Sequence, residues 1–360
     1  MLAAALSAAC SHPEAKSPRE WNRQAAAAYL DRRADWWLQW PAAARDHGTV
    51  CVSCHTTLPY ALARARLGGP SHSGSPVQRR VLDSVRTRVR LWNEVAPYYA
   101  NRSGDASKAA ESLGTEAVLN ALILADADAA GAFGDDARAA FDHMWALQET
   151  RGDAAGAWPW LRFGLEPWEG RNSNYFGAAL AALAVGDAPE RYRTLPEIQP
   201  HLDRLREFLE RGYAAQPLLN RSVLLGASAK LPGFVAFDRA ALVDDLLAAQ
   251  ASDGGWSLSS LSAPTASIRS RLRSLVLWNS DGYATGLAAL ALMDANVPRG
   301  DRALQEALSW LVRHQNDDGF WTSSSLNARR DPSSDVGKFM SDAATACAVL
   351  ALTTADRKFR

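Results

Sequence analysis

Two kinds of apolar pattern alternate along the chain. In "DRALQEALSWLVRHQ" (301–315), Leu304, Ala307, Leu308, Leu311 and Val312 share one helix face while Asp301, Arg302, Gln305 and Glu306 share the other. That is the pattern of a helix lying between core and solvent. "FDRAALVDDLLAAQ" (237–250) and "DDARAAFDHMWALQ" (135–148) repeat it. In "SDGYATGLAALALMDANV" (280–297), by contrast, small apolar residues occupy nearly every face, so this helix must be buried on most sides. "MSDAATACAVLALTTAD" (340–356), "NSNYFGAALAALAVGDAP" (172–189) and, more faintly, "SLGTEAVLNALILADADA" (112–129) share that composition.

Outer, amphipathic helices are predicted near 20–40, 76–92, 133–149, 199–213, 237–250 and 301–315. Inner, apolar helices are predicted near 58–67, 112–127, 173–186, 218–230, 281–294 and 341–354. An apolar inner set buries itself only if the pairs close on one another. The expected fold is therefore all-α, a single (α/α)6 toroid over residues 20–360 with no sheet. The 48% hydrophobic content leaves enough apolar surface for such a core.

The turns after the outer helices carry a motif. "QASDGGW" (Gln250, Gly254, Trp256) and "QNDDGFW" (Gln315, Gly319, Trp321) both fit Q-x-x-x-G-x-W, and "QETRGDAAGAWPW" (Gln148, Gly152, Trp158) fits with an insertion. Gln at a helix end can satisfy free backbone groups, Gly turns the chain and Trp packs the turn. The motif resembles the QW repeat of the squalene cyclase and prenyltransferase-repeat families over most of residues 130–356. The resemblance implies a terpenoid cyclase-like α/α toroid. The acidic D-x-D-D motif of squalene-type cyclases is not matched: "DADAA" (Asp126, Asp128) and "LVDD" (Asp244, Asp245) each lack a carboxylate, and the chain is too short for the second helical domain of those enzymes.

Loops running from outer to inner helices (about 41–57, 93–111, 150–172, 251–280 and 316–340) are long and the opposite set mostly short. Long loops on a rigid scaffold are where function concentrates, which places the expected mouth at the N-terminal ends of the inner helices. Free N–H groups there favour an anion. Glu116, Asp281 and Asp342 are the candidate acids at this mouth, with Asn174, Tyr175, Tyr283, Trp158 and Trp168 as candidate pocket residues beside Trp160. Asp281 and Asp342, each following a Ser, are equally read as helix caps. The tryptophans are equally read as packing.

One further stretch stands apart. "GTVCVSCHTTLPY" (48–60) places Cys51, Cys54 and His55 in the loop before the first inner helix, which is expected to start with a Thr cap and Pro59 in its first turn. "CVSCH" resembles the cytochrome c haem-attachment motif, in which two thiols add to the porphyrin vinyl groups and the adjacent His ligates iron. Ring closure would bring the sixth inner helix beside the first, so Met340 becomes a candidate distal ligand, with His47 and His143 in reserve. A zinc site formed with Asp342, a redox dithiol and a plain disulfide are the competing readings. Cys347 reads as a small buried apolar residue.

Thirty-nine basic residues balance thirty-nine acidic ones, which removes any general attraction to nucleic acid. No run of eighteen uncharged apolar residues predicts a spanning helix. "MLAAALSAACSHPEAKSP" (residues 1–18) ends an apolar run on Cys10 like a lipoprotein signal, although Ser7 replaces the usual Leu and the basic n-region is missing. Residues 1–19 thus read as a signal-like segment and linker, giving a periplasmic or lipid-anchored protein, or alternatively a cytoplasmic one.

The sequence predicts an exported, haem c-bearing toroid that exchanges electrons with a partner protein or acts on an apolar molecule in its cavity. The alternatives are a terpenoid cyclase-like enzyme and a non-catalytic lipid- or protein-binding toroid without haem. A carbohydrate-active toroid is a further possibility.

Overall fold

The computed structural model describes residues 20–68, 74–99, 106–129, 133–262 and 279–359. Cys10 and the signal-like segment lie outside the described residues. The described chain is all-α: α1 (Arg23–Gln39), α2 (Thr57–Arg64), α3 (Pro76–Arg90), α4 (Ala106–Asp128), α5 (Asp135–Ala146), α6 (Ser173–Asp187), α7 (Glu190–Arg193), α8 (Gln199–Gly212), α9 (Leu218–Lys230), α10 (Arg239–Ala248), α11 (Leu258–Ser262), α12 (Gly282–Asp294), α13 (Arg302–His314) and α14 (Phe339–Lys358). Extended pairing among the described residues is confined to two isolated bridges, Ala44 with Val50 and Leu165 with Glu169.

The apolar helices pack in chain order: α2 on α4, α4 on α6, α6 on α9, α9 on α12, α12 on α14, and α14 back on α2. Amphipathic helices cover them from outside: α1 on α2 and α14, α3 and α5 on α4, α8 on α6, α10 on α9, and α13 on α12 and α14. Small residues set the spacing of the inner layer. A Cβ on Gly286 would lie 2.7 Å from the backbone of Cys347, so α12 and α14 meet almost backbone to backbone. α14 is long and apolar enough by composition to cross a membrane, but most of it is buried against α12, α2, α1 and α13.

Four of the six amphipathic helices start at side-chain caps, the exceptions being α5 behind Gly134 and α8 behind Ile198. Asn22 accepts from the Ala25 N–H, Ser75 from Gln78 with Pro76 following it, Asp238 from Ala241 and Asp301 from Leu304.

The three Gln–Gly–Trp turns are built alike. The Gln148 Nε2 donates to the carbonyls of Gly156 and His201, Gln250 to Gly254 and Ala303, and Gln315 to Gly319 and Asn22. Each carboxamide thus ties its own turn to the start of the next amphipathic helix, and the third ties α13 to α1, with the Asn22 N–H donating back to Gln315 Oε1. The indole N–H groups of Trp158, Trp256 and Trp321 donate to Met144, Leu246 and Leu311, four residues before each Gln.

The glycine of the inserted turn differs from the sequence expectation. Gly156, with φ +98°, matches Gly254 (+89°) and Gly319 (+91°), and a Cβ there would lie 2.0 Å from the Arg204 carbonyl oxygen. Gly152 also has positive φ but faces open space.

Candidate functional site

Residues 51–57 form a tight turn onto α2. The Cys51 carbonyl accepts from the Trp37 indole at 2.8 Å, and its N–H donates to Ala43 at 2.9 Å. Thr56 holds the N-cap position of α2, as expected, but its side chain makes no capping bond; the Ser53 Oγ accepts from the N–H groups of Thr56 and Thr57 instead. That frees the Thr56 hydroxyl for another task, while Pro59 sits in the first turn, as expected.

Thr56 Oγ1 donates to Asp342 Oδ2 at 2.9 Å and lies 2.9 Å from His55 Nδ1. A hydroxyl has one proton, so having given it to the carboxylate it accepts from the imidazole. The His55 proton therefore sits on Nδ1, and Nε2 keeps its lone pair, with no hydrogen bond among the described residues. The ring stacks on Phe339 with centroids 3.8 Å apart and meets Trp37 edge-on at 5.0 Å. Burial, with help from Arg330 and Arg33, pulls the imidazole down to about 3, so it is neutral at physiological pH. Met340, buried, follows Phe339 at the start of α14.

Cys51, Cys54 and Cys347 are free thiols, so the disulfide of the competing reading is not formed. Burial pushes Cys51 up to about 12 and raises Cys54 well above its ordinary value. Glu169 lies near both, and burial lifts its carboxyl to about 7 against the pull of Arg330 and Lys108. Sequence reasoning missed Glu169, Ser53 and Phe339.

Each of the three candidate acids is committed elsewhere. Asp342 lies inside α14 rather than capping it. It accepts from Tyr29 Oη at 2.9 Å, Thr56 Oγ1, Arg33 Nε at 2.7 Å and Arg33 Nη2 at 3.1 Å. Asp281 is the α12 cap and accepts from the N–H groups of Tyr283, Ala284 and Leu258. Glu116 is paired through both oxygens with Arg88 of α3, outside the inner helices.

The zinc set of Cys51, Cys54, His55 and Asp342 is likewise not assembled: no three His, Cys, Asp or Glu side chains converge on a metal position among the described residues. Of the reserve ligands, His47 is exposed and His143 stacks on Trp92 from α5.

The pocket candidates divide. Tyr175 donates to the Leu209 carbonyl, Asn174 accepts from Arg162, and Trp158 holds its turn; none of these borders the central cavity. Trp168 and Tyr283 do, joined by a 3.0 Å bond from the indole N–H to the phenol oxygen.

That cavity, about 290 Å³, lies between the apolar helices. Cys54, Trp168 and Tyr283, all buried, bound it at the N-terminal ends of the helices, and leucines such as Leu58, Leu180, Leu287 and Leu350 form its walls. At the opposite end each of the six helices contributes one charged residue at or just beyond its last turn: Arg66, Asp126, Asp187, Lys230, Asp294 and Arg357. Lys230 and Arg357 are exposed, so the cavity meets solvent at this end. At the expected mouth the described lining is buried, with Trp168 of the 150–172 loop closing over the cavity beside Cys54 and Tyr283.

No protein-family model matches the chain, and no curated protein does either. Among solved structures, a crystal structure of a protein from Actinoplanes is similar at 18% identity, covering 92% of this chain and 99% of that one with a TM-score of 0.48.

Proposed function

We propose that the protein is an (α/α)6 toroid that carries haem c on Cys51, Cys54 and His55 and exchanges electrons with a partner protein at that end. The helix order supports the ring reading: six apolar helices in succession, the last packed on the first, and a Gln315 carboxamide joining the last outer helix to the first.

The observation that carries the haem reading is the His55–Thr56–Asp342 chain. It fixes the imidazole as the Nδ1–H tautomer and leaves Nε2 as an unbonded in-plane donor, the arrangement by which second-shell groups orient metal-ligating histidines. Iron ligation uses the ring plane, so Phe339 on the ring face is compatible with it.

The thiols support the same reading. In c-type attachment each S–H adds across a vinyl group at the porphyrin edge, so the sulfurs need not converge with the imidazole on one metal position. Two free thiols without a three-donor cluster suit that geometry better than zinc, whose ligands must surround one point. The bound group would supply reversible one-electron transfer. Residues of this chain would hold and orient it: Cys51 and Cys54 by thioether bonds, His55 through Nε2, and Met340 as the distal candidate at the start of α14.

Attachment of haem c occurs outside the cytoplasm, so the reading carries with it an exported protein, with Cys10 as a lipid anchor. The terpenoid cyclase-like alternative is weakened because Glu116, Asp281 and Asp342 are all held by other groups. The deciding experiment is expression with the haem-attachment machinery, followed by an absorption spectrum and intact mass. The expected outcome is a Soret band and a covalent mass gain of one haem, both lost in the Cys51→Ser/Cys54→Ser double variant. A colourless protein of unmodified mass ends the proposal.

A further inference from the structure

The six charges at the solvent end of the cavity are not evenly paired. Around the ring they run Arg66, Asp126, Asp187, Lys230, Asp294 and Arg357. Arg66 bonds Asp126, and Lys230 bonds Asp187 through Oδ1. Asp187 Oδ2 is buried without a partner, on a side chain nine-tenths buried against the cavity. Asp294 makes no hydrogen bond or ion pair among the described residues, although it is half-buried and faces the same space. Arg357 is also unpaired, but it is exposed and keeps its water.

The unmet demand at this rim is therefore for donors. Buried carboxylate oxygens without partners are costly, whereas an exposed guanidinium is not. Beneath the rim the wall is apolar down to Trp168 and Tyr283, along helices such as α12 whose thirteen residues span about 20 Å.

We propose that this cavity binds a long-chain primary amine, its ammonium donating to Asp294 and Asp187 at the rim and its hydrocarbon chain lying along the leucines. An ammonium brings three donors and no acceptor, which matches the free Oδ2 of Asp187 and the unpaired carboxylate of Asp294. A hydroxyl head brings one donor, and a carboxylate head brings none and meets Asp294 as a like charge. Burial holds the Asp294 carboxyl up at about 6, as expected of a group that an incoming cation would relieve. The inference is independent of whether haem is attached at the other end of the ring.

The test is displacement of an apolar fluorescent probe from the full-length protein as purified, coloured or colourless, by decylamine, decanol and decanoate at neutral pH. Decylamine is expected to displace the probe at a concentration at least tenfold below that of decanol, with decanoate weakest. In Asp294→Asn and in Asp187→Asn the amine advantage should fall to threefold or less while decanol is unchanged, with circular dichroism confirming the fold. Leu290→Trp, which fills the cavity, should abolish probe binding. Equal potency of the three compounds, no displacement, or probe binding that survives Leu290→Trp overturns the proposal. A preference for decanoate does the same, by assigning the head-group site to Arg357.

Discussion

The two ends of the apolar helices treat charge in different ways. At the N-terminal end of the apolar helices three carboxylates are matched: Asp342 takes four hydrogen bonds, Asp281 three, and Glu116 is held through both oxygens by Arg88, with Glu169 near the thiols the exception among the described residues. At the C-terminal end, among the described residues, Asp187 keeps one oxygen without a partner and Asp294 makes no hydrogen bond or ion pair. A buried ion is tolerated for structure only when its hydrogen-bonding capacity is filled, so the first end reads as architecture around a fixed imidazole and the second as a surface that awaits a ligand.

The largest effect should come from breaking the matched end. Arg33→Met leaves Asp342 buried with only Tyr29 and Thr56, and should destabilise the protein by about 3–5 kcal/mol in urea unfolding. The same variant should lose the fixed orientation of His55, because the carboxylate that holds Thr56 is no longer anchored.

The unmatched end should answer with the opposite sign. Asp294→Asn is expected to stabilise by about 1–3 kcal/mol at pH 8, since a carboxyl held at about 6 instead of about 3.9 costs the fold when it ionises. Across that window the folded chain keeps a proton the unfolded chain has released. Wild-type stability relative to the variant should therefore fall as pH rises from about 4 to about 6 and stay level above. A gap that does not change with pH would place Asp294 among the matched charges.

The smallest expected effect is at the closure. Gln315→Ala removes the carboxamide that bridges Gly319 and Asn22, and should cost about 1–2 kcal/mol, read by the same unfolding experiment. Gln250→Ala should cost a similar amount, because its bonds are equivalent.

The alternation of amphipathic and apolar helices was legible because each helix writes its own burial in its period, and all twelve predicted helices are present near their expected limits, α4 starting six residues early at Ala106. The choice of Gly152 over Gly156 was not, since spacing alone cannot say which glycine approaches Arg204. The adjacency of Cys51, Cys54 and His55 is covalent and could be read directly. The role of Asp342 could not, because Arg33 and Thr56 reach it from 309 and 286 residues away.

The charged rim did have a signal in the sequence: each apolar run closes on at least one ionisable residue. Loop length alone does not reveal whether a loop frames an opening or covers it.

The Gln315–Asn22 clasp has a consequence for synthesis. The first amphipathic helix meets α2 and α3 early, but its partners across the clasp arrive only with α13 and α14, and Arg23 waits likewise for Asp356. Domains generally fold as units, so nearly the whole polypeptide must emerge before these last contacts form. Until then the thiols at 51 and 54 remain open to whatever machinery meets the nascent chain.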